Sequence, residues 1–419
     1  MSSNKYLYPF ILVCSLFFLW AFVHNLNPIL IPHLKKACQL TDLQSAFIDS
    51  SVYLGYFIVA IPAGLFMHRY GYKKGILFGL MLYAIGTLLF IPAASTRSYM
   101  FFLAALFIIA SGATFLETVA NPYATILGPK ENSEQRLNFA QSFNGVGAFV
   151  APILGGRFIL SGIEHTRDEL NRMGSDQLEH YLQSEANALK LPYLIITIAV
   201  ISVGLVFLFS KLPNVHEPGS DTHDSEFSLR IFKYAHVKWA VIAQFFYVGA
   251  QVGVGSFFIR FSRFVMNMPE KEAAYKWGSI AMVGFMVGRF TGTFLMRYIK
   301  PPGLLSIYAA INTVLLAIGI LAHGELAVYA VMAVPFFMSI MFPTIFALGI
   351  KELGEETKIA SSFLVMSIIG GAFIPLLMGQ ISDKTGSMQV AYVAPLLCFL
   401  VIFYYGIKGY RIRTPLPAN

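Results

Sequence analysis

Apolar runs of about twenty residues recur from Tyr6 to Gly409, separated mostly by short polar turns. A helix needs roughly 20 such residues to cross the hydrocarbon of a bilayer. Only helices and closed barrels can cross it, because a backbone polar group finds no partner there. The counterpart of this repetition is a shortage of charge. Of 419 residues, 12% are Asp, Glu, Lys or Arg, whereas 56% are hydrophobic. Soluble domains carry about 25% charge, and a globule of this length cannot cover its surface with half of that. Composition therefore excludes a soluble enzyme, a nucleic-acid binder and a disordered scaffold. The fold class it leaves is an all-α membrane protein. At about 35 residues per span and turn there is room for about 12 transmembrane helices.

Hydropathy and turn signals place the first six spans near 8–31, 44–67, 75–93, 99–123, 138–162 and 191–210. The second six fall near 237–262, 274–298, 303–321, 326–349, 358–380 and 389–409. Two gaps are long. Residues 163–190 hold most of the acidic residues of the first half, and 211–236 are polar with Pro, Gly and Ser. The chain thus divides into a six-helix bundle (1–210), a cytoplasmic linker (211–236) and a second six-helix bundle (237–419). The first apolar run is too long for a cleaved signal and has only Lys5 before it, so it reads as the first span. The Lys and Arg bias of the turns puts both termini in the cytoplasm, in a bacterial-type inner membrane. The same bias explains the net charge of +8. Cys14, Cys38 and Cys398 are scattered and offer neither a metal site nor a disulfide framework.

The halves repeat one another. GLFMHRY (64–70) matches GTFLMRY (292–298), and PYATILGPKE (122–131) matches PTIFALGIKE (343–352), in the same order. Duplicated bundles of this kind pack about a pseudo-twofold axis along the membrane normal, with the substrate site between them near mid-bilayer.

Charge inside a bilayer is expensive, so an intramembrane ionisable group is a functional candidate. Glu117 stands deep in the fourth span (FLETVANPY), where a carboxylic acid can bind a proton from one face and release it to the other. Asp49, early in the second span, and His24, in the first (AFVHNLNP), are further titratable or cation-binding candidates. Against each stands a structural reading: an ion pair for Glu117, water at the outer mouth for Asp49, a helix–helix hydrogen bond for His24. Uncharged amides cluster in the same spans. Asn25 and Asn27 accompany His24, Asn121 follows Glu117 by one turn, Gln141 and Asn144 share a face, and so do Gln244 and Gln251. Amides both donate and accept, which suits the hydroxyls of a neutral sugar; singly, each serves equally well as interhelical glue. Tyr247, Phe336, Phe337 and Phe342 supply rings on which a sugar's C–H faces can stack. Gly284, Gly288 and Gly292 read as a close-packing face, and Arg289 among them as buried structural charge. No GxSxG, HExxH or Walker loop is present, and His216, Glu217 and His223 read as solvated linker residues. Neither an enzyme nor a cofactor is expected, and transport would be passive or driven by an ion gradient.

Residues 64–74 (GLFMHRYGYKK) resemble the loop between the second and third spans of the major facilitator superfamily, with His68 where that pattern has Asp. NLNPILIPHL (25–34), LETVANPYATILGP (116–129), RLNFAQSFNGVGA (136–148) and FMSIMFPTIFALGIKELGEETK (337–358) resemble the fucose–proton symporter family within it. The resemblance implies twelve spans in two pseudo-symmetric bundles, alternating access and proton-coupled uptake of a hexose such as L-fucose, by an expected monomer with only lipid around it. It implies a proton- and sugar-handling role for Glu117. Asn25, Gln141 and Asn144 match the family's polar positions and, with Glu117, Asn121, Gln251 and Tyr247, are the expected sugar contacts. One departure matters: Pro28 stands where the family has a second carboxylate. Either Asp49 or His24 substitutes, or Glu117 titrates alone, or the coupling ion is Na+, with glucose, galactose or N-acetylglucosamine as cargo. A membrane sugar sensor that has lost transport is the reading from another class.

Overall fold

The computed structural model describes residues 4–40, 42–159, 169, 172–213 and 229–412, which form helices and turns without a strand. Helices α1 (Asn4–His24) and α2 (Asn27–Ala37) make the first crossing, and α3 (Asp42–Thr96) makes two. Crossings four and five are α4 (Tyr99–Ile126) and α5 (Ser133–Phe158). After a short helix α6 (Ser175–Ala188), α7 (Lys190–Phe209) completes the first bundle. The second begins with α8 (Ala235–Met266). Its next crossing is broken into α9 (Glu270–Lys276), a π-helical turn at Trp277–Ala281 and α10 (Met282–Leu295). Then follow α11 (Pro301–Leu321), the pair α12 (Gly324–Met338) and α13 (Met341–Gly349), and the pair α14 (Thr357–Met366) and α15 (Gly370–Thr385). The last crossing is α16 (Met388–Ala391) with α17 (Val393–Tyr404).

Ten described stretches are long and apolar enough to cross a membrane by themselves. One of them, Ser51–Thr96, has 46 residues. Straight, it would measure about 69 Å, twice a hydrocarbon core. It folds back instead at Gly71, whose φ of 82° is a backbone that side chains rarely adopt. The twelfth crossing is α5, which Gln135, Asn138, Gln141 and Asn144 make less apolar than the other crossings. The twelve spans expected from the sequence are thus present. The first is interrupted: α1 ends at His24 and α2 restarts with Pro28 in its first turn, where proline's missing N–H costs nothing. Within 163–190, expected as a loop, Ser175–Ala188 forms a helix that lays Leu182, Glu185 and Ala186 inward. His216, Glu217 and His223 lie outside the described residues.

Small residues set the helix contacts. A methyl group on Gly112 of α4 would stand 2.7 Å from the Tyr83 nitrogen and 2.8 Å from the Gly79 carbonyl of α3. The glycines of α10 behave as their spacing predicts: Gly288 sits against Phe336 and Ser339, and Gly292 against Ile340. The bundles meet through α3 and α4 against α14, and α5 against α10 and α13. Three polar links join them at the end that carries the Gly71 turn and Lys130. Lys351 Nζ lies 2.6 Å from Glu134 Oε1. Asn138 Nδ2 donates to Thr344 Oγ1 (3.0 Å), and Gln135 Nε2 to the Thr293 carbonyl (3.1 Å). At the opposite end α6 docks on the first bundle, by Arg97–Glu179 (2.9 Å) and Lys36–Glu185 (3.2 Å).

Replacing Gly112 by Ala forces α3 and α4 apart. The expected cost is about 1–3 kcal/mol, read as a lower melting temperature of the detergent-solubilised protein. Gly204→Ala is the control, since nothing lies within 4 Å of the position where its methyl would stand.

Candidate functional site

Between the bundles lies a cavity of about 260 Å³. Its floor is Gln141, Arg289 and Phe342, just above the inter-bundle bond from Asn138 to Thr344. From Arg289 it reaches up the broken crossing to Trp277, twelve residues or about 18 Å of helix away. The cavity is therefore closed off at the basic end and extends toward the other.

The two sides of the wall differ. The first bundle contributes Trp20, His24, Asn25, Tyr53, Tyr56, Glu117, Gln141 and Asn144. The second contributes Val248, Val252, Met282, Phe285, Met338, Phe342 and Ile368, with Gln251, Trp277 and Arg289 as its only groups that hydrogen-bond through the side chain. One side is thus lined by polar heads and the other is mostly hydrocarbon and rings.

Glu117, 7% exposed, is the only carboxylate on this wall among the described residues. Its charge and hydrogen-bonding neighbours are Tyr56 of α3 and Arg289 of α10. Arg289, 4% exposed, has the larger set of bonds. Its Nε donates to the Ser339 carbonyl at 2.8 Å, where the break between α12 and α13 frees that oxygen. Its Nη1 crosses to the first bundle, donating to the Gln141 carbonyl and, at 3.3 Å each, to Gln141 Oε1 and Asn144 Oδ1. A guanidinium at this depth is stable only because carbonyl and amide oxygens surround it. Gln141 then hands the chain on: its Nε2 donates to Asn121 Oδ1 (2.9 Å), and Asn121 Nδ2 to the Glu117 carbonyl (2.8 Å). A continuous hydrogen-bonded path therefore links Arg289 to the backbone of Glu117.

Of the residues singled out from the sequence, Glu117, His24, Asn25, Gln141, Asn144 and Gln251 line the cavity. His24 is exposed to it, and Asn25 also donates its Nδ2 to the Ala21 carbonyl at 2.8 Å. Two expected sugar contacts are not on the wall. Asn121 is fully buried and serves as the link between Gln141 and Glu117. Tyr247 is fully buried and donates to the Met338 carbonyl (3.2 Å), capping the same helix break that Arg289 caps. Gln244 lies two turns nearer the closed end than Gln251, off the wall. The side chain of Asp49 lies outside the described residues. Sequence reasoning missed Arg289 as a wall residue because its glycine neighbours advertise packing. It also missed Tyr53 and Tyr56, although their three-residue spacing in span two puts them on one face.

Two pseudo-symmetric six-helix bundles around a polar cavity define a multi-pass membrane protein of the two-bundle type. A family model described as Major Facilitator Superfamily matches residues 11–362, and the chain belongs to that family. It is 44% identical over 425 residues to the L-fucose-proton symporter of Escherichia coli K12, covering 100% of this chain and 96% of that one. It is 40% identical over 414 residues to the glucose/galactose transporter of Brucella abortus biovar 1, covering 97% and 95%. Among solved structures, a crystal structure of the E. coli fucose:proton symporter superposes with a TM-score of 0.89 at 42% identity, covering 96% of this chain and 98% of that chain. A crystal structure of a Major Facilitator Superfamily transporter, FucP, in the outward conformation gives 0.89 at 43%, covering 96% of this chain and 99% of that one.

The buried Glu134 carboxylate, 2% exposed, depends on Lys351 across the bundle interface. Lys351→Gln should release about 1 kcal/mol of the closure, roughly a fivefold shift toward opening at that end. The check is the labelling rate of a cysteine placed at Ser362, which is buried against Gly64 of the other bundle; it should rise severalfold in the Lys351→Gln background and stay slow without it.

Proposed function

We propose that this chain carries a hexose across the membrane together with a proton, by alternating access. The observation that carries the reading is the two-sided wall. A pyranose ring presents hydroxyls at its edge and C–H groups on its faces. Asn25, Gln141, Asn144 and Gln251 offer donors and acceptors to the edge, while Phe285, Phe342, Trp20 and Trp277 offer apolar surface to the faces. The relatives named for fucose and for glucose and galactose take ligands of this one chemical class.

Glu117 is the coupling group. Ionised, it stands in the field of Arg289; protonated, it becomes neutral and can donate to a sugar hydroxyl. Protonation removes the attraction between Glu117 and Arg289, one of the interactions that hold the two bundles together. Sodium fits this place less well. A cation would have to share Glu117 with a guanidinium, and the other group acting on the carboxyl is a single phenol. His24, exposed in the same cavity, also stands on the wall, in the span where the related family keeps a carboxylate.

The positive-inside bias supports a cytoplasmic location for the basic, closed end. Both termini would then face the cytoplasm of a bacterial-type inner membrane, and the cavity would face outward. The functional units are 1–210 and 237–419, with 211–236 as the cytoplasmic connection, in a monomer that catalyses no covalent reaction.

In proteoliposomes, Glu117→Gln should reduce pH-gradient-driven hexose uptake to background while leaving sugar counterflow intact. Gradient-driven uptake that survives the substitution rules Glu117 out as the coupling group. Sugar binding without counterflow in the unmutated protein would favour a sensor.

A further inference from the structure

A second cavity, of about 300 Å³, lies outside the transport path. It is a groove between α1, α5 and α10. Phe10, Phe139, Phe290 and Phe294 form its walls, with Arg136 and Arg297 among its lining. Phe139, Phe290 and Phe294 are exposed, by 41%, 42% and 52%. Its floor is the bond from Gln135 to the Thr293 carbonyl, which ties one bundle to the other.

The two arginines are not equivalent. Arg136 spends its donors on the carbonyls of Ala124, Thr125 and Pro129, so it is a fixed positive charge. Arg297 is exposed; it leans 5.7 Å over the Phe294 ring and has no carboxylate partner among the described residues. A guanidinium held at the end of an apolar trough matches the two parts of one molecule. Its fork donates two parallel hydrogen bonds to a phosphate, and the phenyl walls pack against acyl chains.

We infer that this groove binds an anionic phospholipid, with its phosphate on Arg297 and its chains along Phe139, Phe290 and Phe294. The charge of Arg136 favours a headgroup that keeps net negative charge over a zwitterionic one. The walls belong to both bundles, so the seat exists only while α5 and α10 stay together. By linkage, a lipid that binds this arrangement and not the separated one stabilises closure at the Glu134–Lys351 end. Anionic lipid thereby favours the arrangement closed at that end and leaves the cavity chemistry untouched.

The test is fluorescence quenching in reconstituted full-length protein. Phe290→Trp places a reporter in the groove, and bromine-labelled phosphatidylglycerol or phosphatidylcholine serves as quencher, read against the protein without that substitution. Stronger quenching by the brominated phosphatidylglycerol is expected, reduced severalfold when Arg297→Gln is added. Circular dichroism of both variants confirms folding, and Arg297→Lys should restore part of the preference. Equal quenching by the two lipids, or a preference that Arg297→Gln leaves unchanged, overturns the site.

Discussion

A guanidinium in the middle of a membrane must place every donor it can, and Arg289 places its donors on both bundles. One side holds the Ser339 carbonyl at a helix break, and the other holds Gln141 and Asn144. That single side chain therefore fixes the floor of the cavity, the orientation of the amides on its wall and the contact between halves. It also keeps a positive charge within range of Glu117. Motion of α10 away from α5 strips Arg289 of its amide partners and changes the field at Glu117 in the same step. If Glu117 is the proton-binding group proposed above, this links proton binding to bundle movement.

The broken helices serve the same end. The break at residues 339–340 frees carbonyls that an unbroken helix would use, and buried side chains satisfy them: Arg289 at Ser339, and Tyr247 at Met338. Irregular backbone at membrane depth is tolerated only where protein or a cavity covers it. Breaks at residues 25–26, 277–281, 339–340 and 367–369 interrupt four of the crossings that line the cavity.

Much of this was legible in the sequence, and the reasons are particular. Twelve spans follow from apolar runs because bilayer thickness fixes their length. Even α5, the least apolar, reads as a span from its flanking turns. Glu117 announces itself because its neighbours along the fourth span are uncharged. Gln141 and Asn144 follow from their spacing. The roles of Asn121 and Tyr247 were hidden, since a residue on the right face of the right helix can still point one helix too deep. Arg289 was read as structural because glycine spacing speaks for packing, and packing is what carries it to the cavity. The helix at Ser175–Ala188 escaped notice because its mixed charge resembles a loop, whereas three inward residues suffice to dock it.

The loss of a family carboxylate at Pro28 sharpens the role of the remaining one. With Glu117 as the coupling group, each hexose should enter with one proton. The direct measurement is external pH in a lightly buffered suspension of proteoliposomes, with no gradient imposed, as hexose is added in sodium-free medium. Alkalinisation in step with sugar entry, at one proton per hexose, is the expected result. Sugar entry without any change in pH, or entry that requires Na+, contradicts coupling through Glu117.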